Sequence, residues 1–300
     1  MRNCLSAANN PEILAEKKES ARKGNPATVS GAVAVLPLYG PINDKMDLMT
    51  WLMGGTALND WMQNFRSLVH DPNVGAIILD VDSPGGSVFG VDEASEEIYK
   101  ARGKKPIIAM SSPIMASAAY YIASAADEIV ATPTSQTGSI GVIIMHEDMS
   151  AALDAEGVKL TAITYGQNKA EANWWEPLSE ESKSYLQGRV DAYGQMFTKA
   201  VARNRKLTMA HVNEHFGQGR MLMSQDALAV GMVDRIGTMD DVMRDLGVKN
   251  QKTMRAALAA VDAWNAIHNG WVAPPAVEET TSAPANEVTE AVRKRVLDMI

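Results

Sequence analysis

Apolar residues along this chain fall into two periods. Val33-Ala34-Val35-Leu36-Pro37-Leu38 is a short apolar run closed by Gly40 and Pro41, which predicts a strand. From Ala57 to His70 the apolar residues Leu58, Trp61, Met62, Phe65 and Leu68 recur three and four apart, the spacing of one helical face. Val74 to Val81 is almost continuously apolar, as a strand covered on both faces reads. The alternation continues with a helix over Val91 to Ala101, a strand over Pro106 to Met110 and a small-residue helix over Ala116 to Ala126. Strands are predicted at Glu128 to Ala131, Gly141 to Met145 and Leu160 to Tyr165, with a helix at Asp148 to Ala155 between the last two. A long helix is expected from Ser179 to Asn204. Leu186, Val190, Tyr193, Phe197 and Val201 form its stripe, Ser179 is its N-cap, and Glu180 and Glu181 suit the dipole of its first turn. Strands alternating with helices predict an α/β fold with a mostly parallel sheet flanked by helices.

The two ends read differently. Residues 1–30 are polar and mixed in charge, with Pro11 and Pro26, and are expected to form an arm with a helix near Glu12 to Arg22. After residue 247 come an Ala-rich stretch that predicts a helix at Thr253 to Ala266, a Pro/Thr/Glu-rich linker at Val272 to Pro284 and a terminal helix at Val288 to Ile300. The expected organisation is an arm (1–30), a catalytic-size domain (31–247) and a helical and linker tail (248–300).

Composition narrows the function. The 300 residues are 46% hydrophobic and 21% charged, enough to bury a core. The formal net charge is −8, which disfavours a nucleic-acid partner, since phosphates call for a basic face. The one cysteine, Cys4, supports neither an intrachain disulfide nor a cysteine-rich zinc site. Pro106 to Ala126 is uncharged and long enough to span a bilayer, but its two prolines and four serines read as buried soluble structure. With no signal-peptide core at the N-terminus, a cytoplasmic location is expected.

Three segments can carry chemistry. Asp82-Ser83-Pro84-Gly85-Gly86 follows the strongest buried strand, and the carboxyl end of a strand is where ligands bind in open α/β sheets. Its glycines let backbone N–H groups approach an oxyanion, although the same residues make an ordinary tight turn. Ser117, in Met115-Ala116-Ser117-Ala118-Ala119-Tyr120-Tyr121, sits among small residues at a predicted helix start, where N–H groups and a positive dipole end favour a serine nucleophile. A packing serine in an Ala-rich helix reads the same way. A serine needs a base, and two candidates follow strands: His146 and Lys169. A lysine serves only if burial disfavours its charged form. His211 and His215 have a metal-ligand spacing, but the segment between them, Val-Asn-Glu, misplaces the glutamate of a zinc protease.

Together these segments resemble the signal peptide peptidase A family, serine peptidases of the Clp-protease/crotonase-like fold. The resemblance runs from about Val33 to Gly247 and is carried by Leu79 to Gly86, Ala116 to Ala123, Thr137-Gly138-Ser139-Ile140-Gly141-Val142, the Lys169 loop, Gly219-Arg220 and Ala227 to Asp234. It implies a serine endopeptidase with Ser117 as nucleophile, Lys169 as general base and Ser139 helping to hold the lysine amine. The N–H of Gly85 or Gly86 and that of Ala118 would form the oxyanion hole. Ala118-Ala119 departs from the Gly-Gly common in the family at this point, which narrows the pocket but keeps the N–H. The resemblance implies polypeptide substrates, a homo-oligomer, and no metal or organic cofactor. Members of this build look most like phage capsid-maturation proteases, which cut scaffold and head proteins and, in this reading, the tail. The alternatives are a soluble peptidase of signal-peptide remnants, a Clp-like peptidase using His146, an acyl-CoA enzyme of the crotonase type, and a non-catalytic capsid-assembly protein. Trp174 and Trp175, close after Lys169, are candidate walls of a substrate groove.

Overall fold

The computed structural model describes residues 28–30 and 33–248. The expected helices near 12–22, 253–266 and 288–300 and the linker at 272–284 lie outside the described residues. The elements, in chain order, are β1 (Thr28–Ser30), β2 (Val33–Tyr39), β3 (Ile42–Asn43), α1 (Leu48–Leu52), β4 (Thr56–Ala57), α2 (Leu58–His70), β5 (Ala76–Ser83) and α3 (Val91–Ala101). They continue with β6 (Ile107–Ala116), α4 (Ala118–Ala123), β7 (Glu128–Ala131), β8 (Gln136–Gly138), α5 (Ser150–Ala155) and α6 (Glu180–Arg205). The last are α7 (Met209–His215), β9 (Met221–Met223), α8 (Ser224–Ala229), β10 (Arg235–Ile236) and α9 (Met239–Asp245).

The main sheet runs β1-β2-β5-β6-β7-β10, and β8 pairs with both β6 and β9. Only the β1·β2 and β8·β9 pairs are antiparallel; the other main-sheet pairs are parallel, the α/β class expected. Strand periodicity divides the core. Ala34, Leu36 and Leu38 of β2 face one layer with Ile77, Leu79 and Val81 of β5, where α2, α3 and α4 pack. Val33, Val35, Ala76 and Ile78 face the other, covered by Val242 and Met243 of α9. Both faces are therefore dry, and this is why β5 reads as an unbroken apolar run.

The uncharged stretch from Pro106 to Ala126 forms β6 and α4 in the centre of this core. Among the described residues, no helix is long and apolar enough to cross a membrane. Two expectations fail. Gly141 to Met145 and Leu160 to Tyr165 form no strand. The strand in this region is the shorter β8, and the apolar side chains beyond it lie in solvent: Met145 is 87% and Ile163 96% exposed. With no sheet edge beside them, these runs have no ladder to join. Helix α6 has its predicted N-cap, with the Ser179 hydroxyl accepting the Ser182 N–H. Its stripe is buried at Phe197 and Val201 but only half-buried at Leu186, Val190 and Tyr193, so its first half projects beyond the core.

Candidate active site

Parallel pairing brings two strand ends together. β5 ends at Ser83, opposite Met115 of β6, and the two following turns carry Gly85-Gly86 and Ser117-Ala118. The chain must leave β6 and start α4 within one residue, and that residue is Ser117. Its backbone has φ 52° and ψ −124°, a sparsely populated region for any residue but glycine. The turn is held from both sides, since the Ser117 N–H donates to the Gly138 carbonyl (2.8 Å) and its carbonyl accepts the Tyr121 N–H (2.9 Å). The side chain makes no capping bond, so the hydroxyl is left half-buried at the floor of a cavity.

Gly85 seals the site from the other strand. Its φ is +94°, and a Cβ there would lie 2.6 Å from Ser117 Cβ and 2.9 Å from Ala118 N. Only glycine permits this approach. The Gly85 N–H donates to Ser83 Oγ (3.1 Å), whose own hydroxyl donates to the Gly40 carbonyl (2.6 Å). Gly86 bridges to Ile42 through its neighbours: Ile42 N–H donates to Gly85 O (2.9 Å) and Ser87 N–H to Ile42 O (2.8 Å). This leaves the Gly86 N–H without an acceptor among the described residues. The Ala118 N–H, first in α4, is likewise unclaimed. Of the two glycines, only Gly86 therefore has a backbone N–H free to donate among the described residues.

Ser139 follows Gly138 directly and is locked with φ 54°, its N–H donating to the Arg220 carbonyl (2.9 Å). This explains Gly219-Arg220 in the sequence pattern: its backbone fixes the turn behind Ser117. Lys169 is not among the residues lining the cavity at Ser117. It is exposed, in the segment between Ile140 and α6, and its amine makes no hydrogen bond or ion pair among the described residues. His146 does not replace it, because its Nε2 contacts the Asn173 carbonyl (2.7 Å) on that same segment. Trp174 and Trp175 stack edge to face on each other (5.8 Å) and are not among the residues lining the cavity.

The cavity holds about 260 Å³. Besides Gly86, Ser117, Ala118, Tyr121, Gly141 and Val142, which the quoted segments contain, it is lined by Phe89, Asp92, Met196 and Phe197, to which the sequence pattern assigned no place in a site. Tyr121 stacks on Phe197 (4.5 Å between ring centres, 13° between planes) and donates its hydroxyl to Asp92 Oδ1 (2.6 Å). Burial, then the hydrogen bond to Asp92, pushes the Tyr121 phenol far above its ordinary range. Asp82, beside the Gly85 turn, is also pushed up, by desolvation that outweighs a bond from the Ile114 N–H. Asp92 and Glu93 read from sequence as ordinary first-turn acids of α3, and nothing local signals that they line the same cavity as Ser117.

Fold and site define a class: parallel-sheet α/β proteins that present a serine from a strained strand-to-helix turn beside free backbone amides. The chain belongs to peptidase family S49, whose family model matches residues 100–253. It is 32% identical over 235 residues to capsid assembly protease C of Escherichia phage lambda, covering 77% of this chain and 53% of that one. A head-tail preconnector protein of an Enterobacteria phage is 31% identical, over 78% of this chain and 47% of its own. A putative signal peptide peptidase of Enterococcus faecium is 30% identical, over 65% of this chain and 56% of its own. The chain thus spans about half the length of the curated relatives it matches.

Proposed function

We propose that this chain is a serine endopeptidase acting on the proteins of a phage head during assembly. Ser117 is the nucleophile, Lys169 the base, Ser139 a holder of the lysine amine, and the Gly86 and Ala118 N–H groups the oxyanion hole. The observation that carries this reading is the Ser117 turn: an uncapped hydroxyl on a strained backbone with two unclaimed N–H groups beside it. The lysine takes the hydroxyl proton as Oγ bonds to the scissile carbonyl carbon, and the carbonyl oxygen becomes an anion held by the two amides. Collapse breaks the C–N bond, and the lysine returns the proton to the leaving amine. Water then cleaves the acyl-enzyme ester and frees Ser117.

Lys169 reaches this site from a neighbouring copy. It lies exposed on a segment whose apolar side chains Met145, Ile163 and Tyr165 stand in solvent, as side chains that meet a second copy do. Enclosure between copies strips water from a lysine amine and favours its neutral form, the form that a base requires. The phage substrates are taken from the names of two relatives, a capsid assembly protease and a head-tail preconnector protein. Intact-mass measurement over time, with the neighbouring head proteins co-expressed, tests the whole reading. Wild type yields fragments, while Ser117→Ala and Lys169→Ala leave every chain whole. Fragments from Ser117→Ala, or uncut partners with all three, overturn it.

A further inference from the structure

The cavity beside Ser117 has more chemistry than a peptidase needs for its reaction. Its lining includes the apolar Phe89, from the loop after Gly86, and Met196 and Phe197, from α6. It also includes Asp92 and Glu93, from the first turn of α3. No lysine, arginine or histidine lines the cavity, and neither acid forms an ion pair among the described residues. Arg203 of α6 pairs instead with Glu96. The start of α3 offsets part of this negative charge, but its equivalent of about +0.5 is smaller than two carboxylates. Asp92 is also fixed in place, because the buried and stacked Tyr121 donates to it at 2.6 Å. A carboxylate has several lone pairs, and one phenol uses only one of them.

From this we propose that the cavity takes the side chain preceding the scissile bond, and that Asp92 selects arginine or lysine there. The inference rests on reading Ser117 as the nucleophile. The cavity, at about 260 Å³, has room for a long side chain, against about 30 Å³ for a water molecule in the liquid. The methylene stem lies along Phe89 and Phe197, and the cationic head meets Asp92 where water is partly excluded. The ring of Phe197 adds a cation–π contact to a guanidinium. An apolar cavity alone would discriminate weakly between side chains of similar size, whereas a fixed carboxylate discriminates by charge. Asp92 is a specificity residue and takes no part in bond making.

Binding separates this inference from the catalytic one. Short peptides ending in Arg, Lys or Leu, with a free carboxylate as in a cleavage product, are titrated into the full chain carrying Ser117→Ala. Arg- and Lys-ended peptides are expected to bind at least about tenfold tighter than the Leu-ended one, the scale of a desolvated charge pair. Adding Asp92→Asn lowers affinity for the basic peptides at least about tenfold more than for the Leu peptide. Equal affinities, or tighter binding of Leu, overturn the proposal, and this comparison needs no variant at Asp92. The same sequences, extended through the bond, are then incubated with the otherwise unaltered chain. Cleavage without preference for a basic residue rejects the role of Asp92 and keeps the peptidase. Preferential binding of basic peptides without any cleavage keeps the cavity's selectivity and rejects the peptidase.

Discussion

Gly85 shows how one missing methyl group can hold a site open. A Cβ there meets Ser117 Cβ at 2.6 Å and Ala116 O at 2.9 Å, with backbone on two sides and no flexible side-chain end to yield. The positive φ of +94° adds strain for any L-residue. Gly85→Ala therefore pushes the Ser117–Ala118 turn away from Gly86 and spoils the spacing of nucleophile and amides. Displacing reacting groups by about 1 Å costs on the order of 100-fold in rate, and that loss is expected in kcat rather than KM. Peptide hydrolysis beside a thermal melt checks this: a Gly85→Ala protein that stays folded with kcat within about threefold of wild type would rule out the proposed geometry. Gly86 is tighter still, since its Cβ would sit 2.0 Å from the Ile42 carbonyl oxygen. The dipeptide is thus dictated by contact on both sides, which explains why turn chemistry alone left its role open.

At the scale of elements, the segment Ala227 to Asp234 looked in the sequence like part of a functional signature, and its work is structural. Met232 offers its carbonyl to the buried Tyr120 hydroxyl (2.9 Å), which anchors α4 behind Ser117. Asp234 accepts the Ile129 N–H (2.7 Å) and pairs with Arg205 (2.6 Å). The Arg205 side chain is 7% exposed, and the bond from its guanidinium to Asp234 keeps its pKa raised against the opposing effect of burial. Asp234→Ala leaves the Arg205 guanidinium with its bonds to the Gly231 carbonyl only and the Ile129 amide without its acceptor, at a cost of roughly 1 to 3 kcal/mol. Urea unfolding checks it: a midpoint within error of wild type would show that the pair is dispensable. The elements themselves were legible where a run is covered by its own chain, as in β5, α2 and α3, and in α6 where the N-cap and first-turn acids mark the start of a helix whose first half is only half-covered. Gly85, Gly86 and Ser117 were legible as candidates because each follows a predicted strand, whereas Ser139 and the Ala118 N–H were legible only through the family resemblance, since β8, the strand that ends just before Ser139, was not predicted. The two failures, Gly141 to Met145 and Leu160 to Tyr165, share a cause. The apolar side chains of both runs stay exposed among the described residues, so apolarity alone did not mark a strand. The cavity acids were illegible for a related reason: Asp92 and Glu93 satisfy the helix that carries them, and only tertiary packing places them in the lining of the same cavity as Ser117.

At the scale of the whole molecule, serine and lysine present opposite problems. Ser117 is half-buried and fixed by backbone on each side, whereas Lys169 stands exposed on a segment that also exposes Met145, Ile163 and Tyr165. The first half of α6 likewise leaves Leu186 and Val190 only half-covered. If Lys169 serves a neighbouring copy, two inactive proteins can repair each other. Ser117→Ala retains a usable lysine, and Lys169→Ala retains a usable serine. Mixing the two, after partial denaturation and refolding to scramble subunits, brings some intact serines beside intact lysines. Peptide hydrolysis is then expected to return in the mixture while each variant alone stays inactive. The recovered rate should rise with protein concentration, because assembly precedes activity. A mixture as inactive as its parts, in an assembly shown by light scattering to contain both chains, would place base and nucleophile in one chain. Lys169 would then have to cross to Ser117 by a rearrangement of residues 140–178. The two outcomes also assign the exposed apolar side chains differently, as interface in the first case and as the inner face of a closing segment in the second. Ile163→Asp distinguishes these independently of activity, because a charge at an interface lowers the assembled mass, whereas one on an intramolecular flap leaves it unchanged.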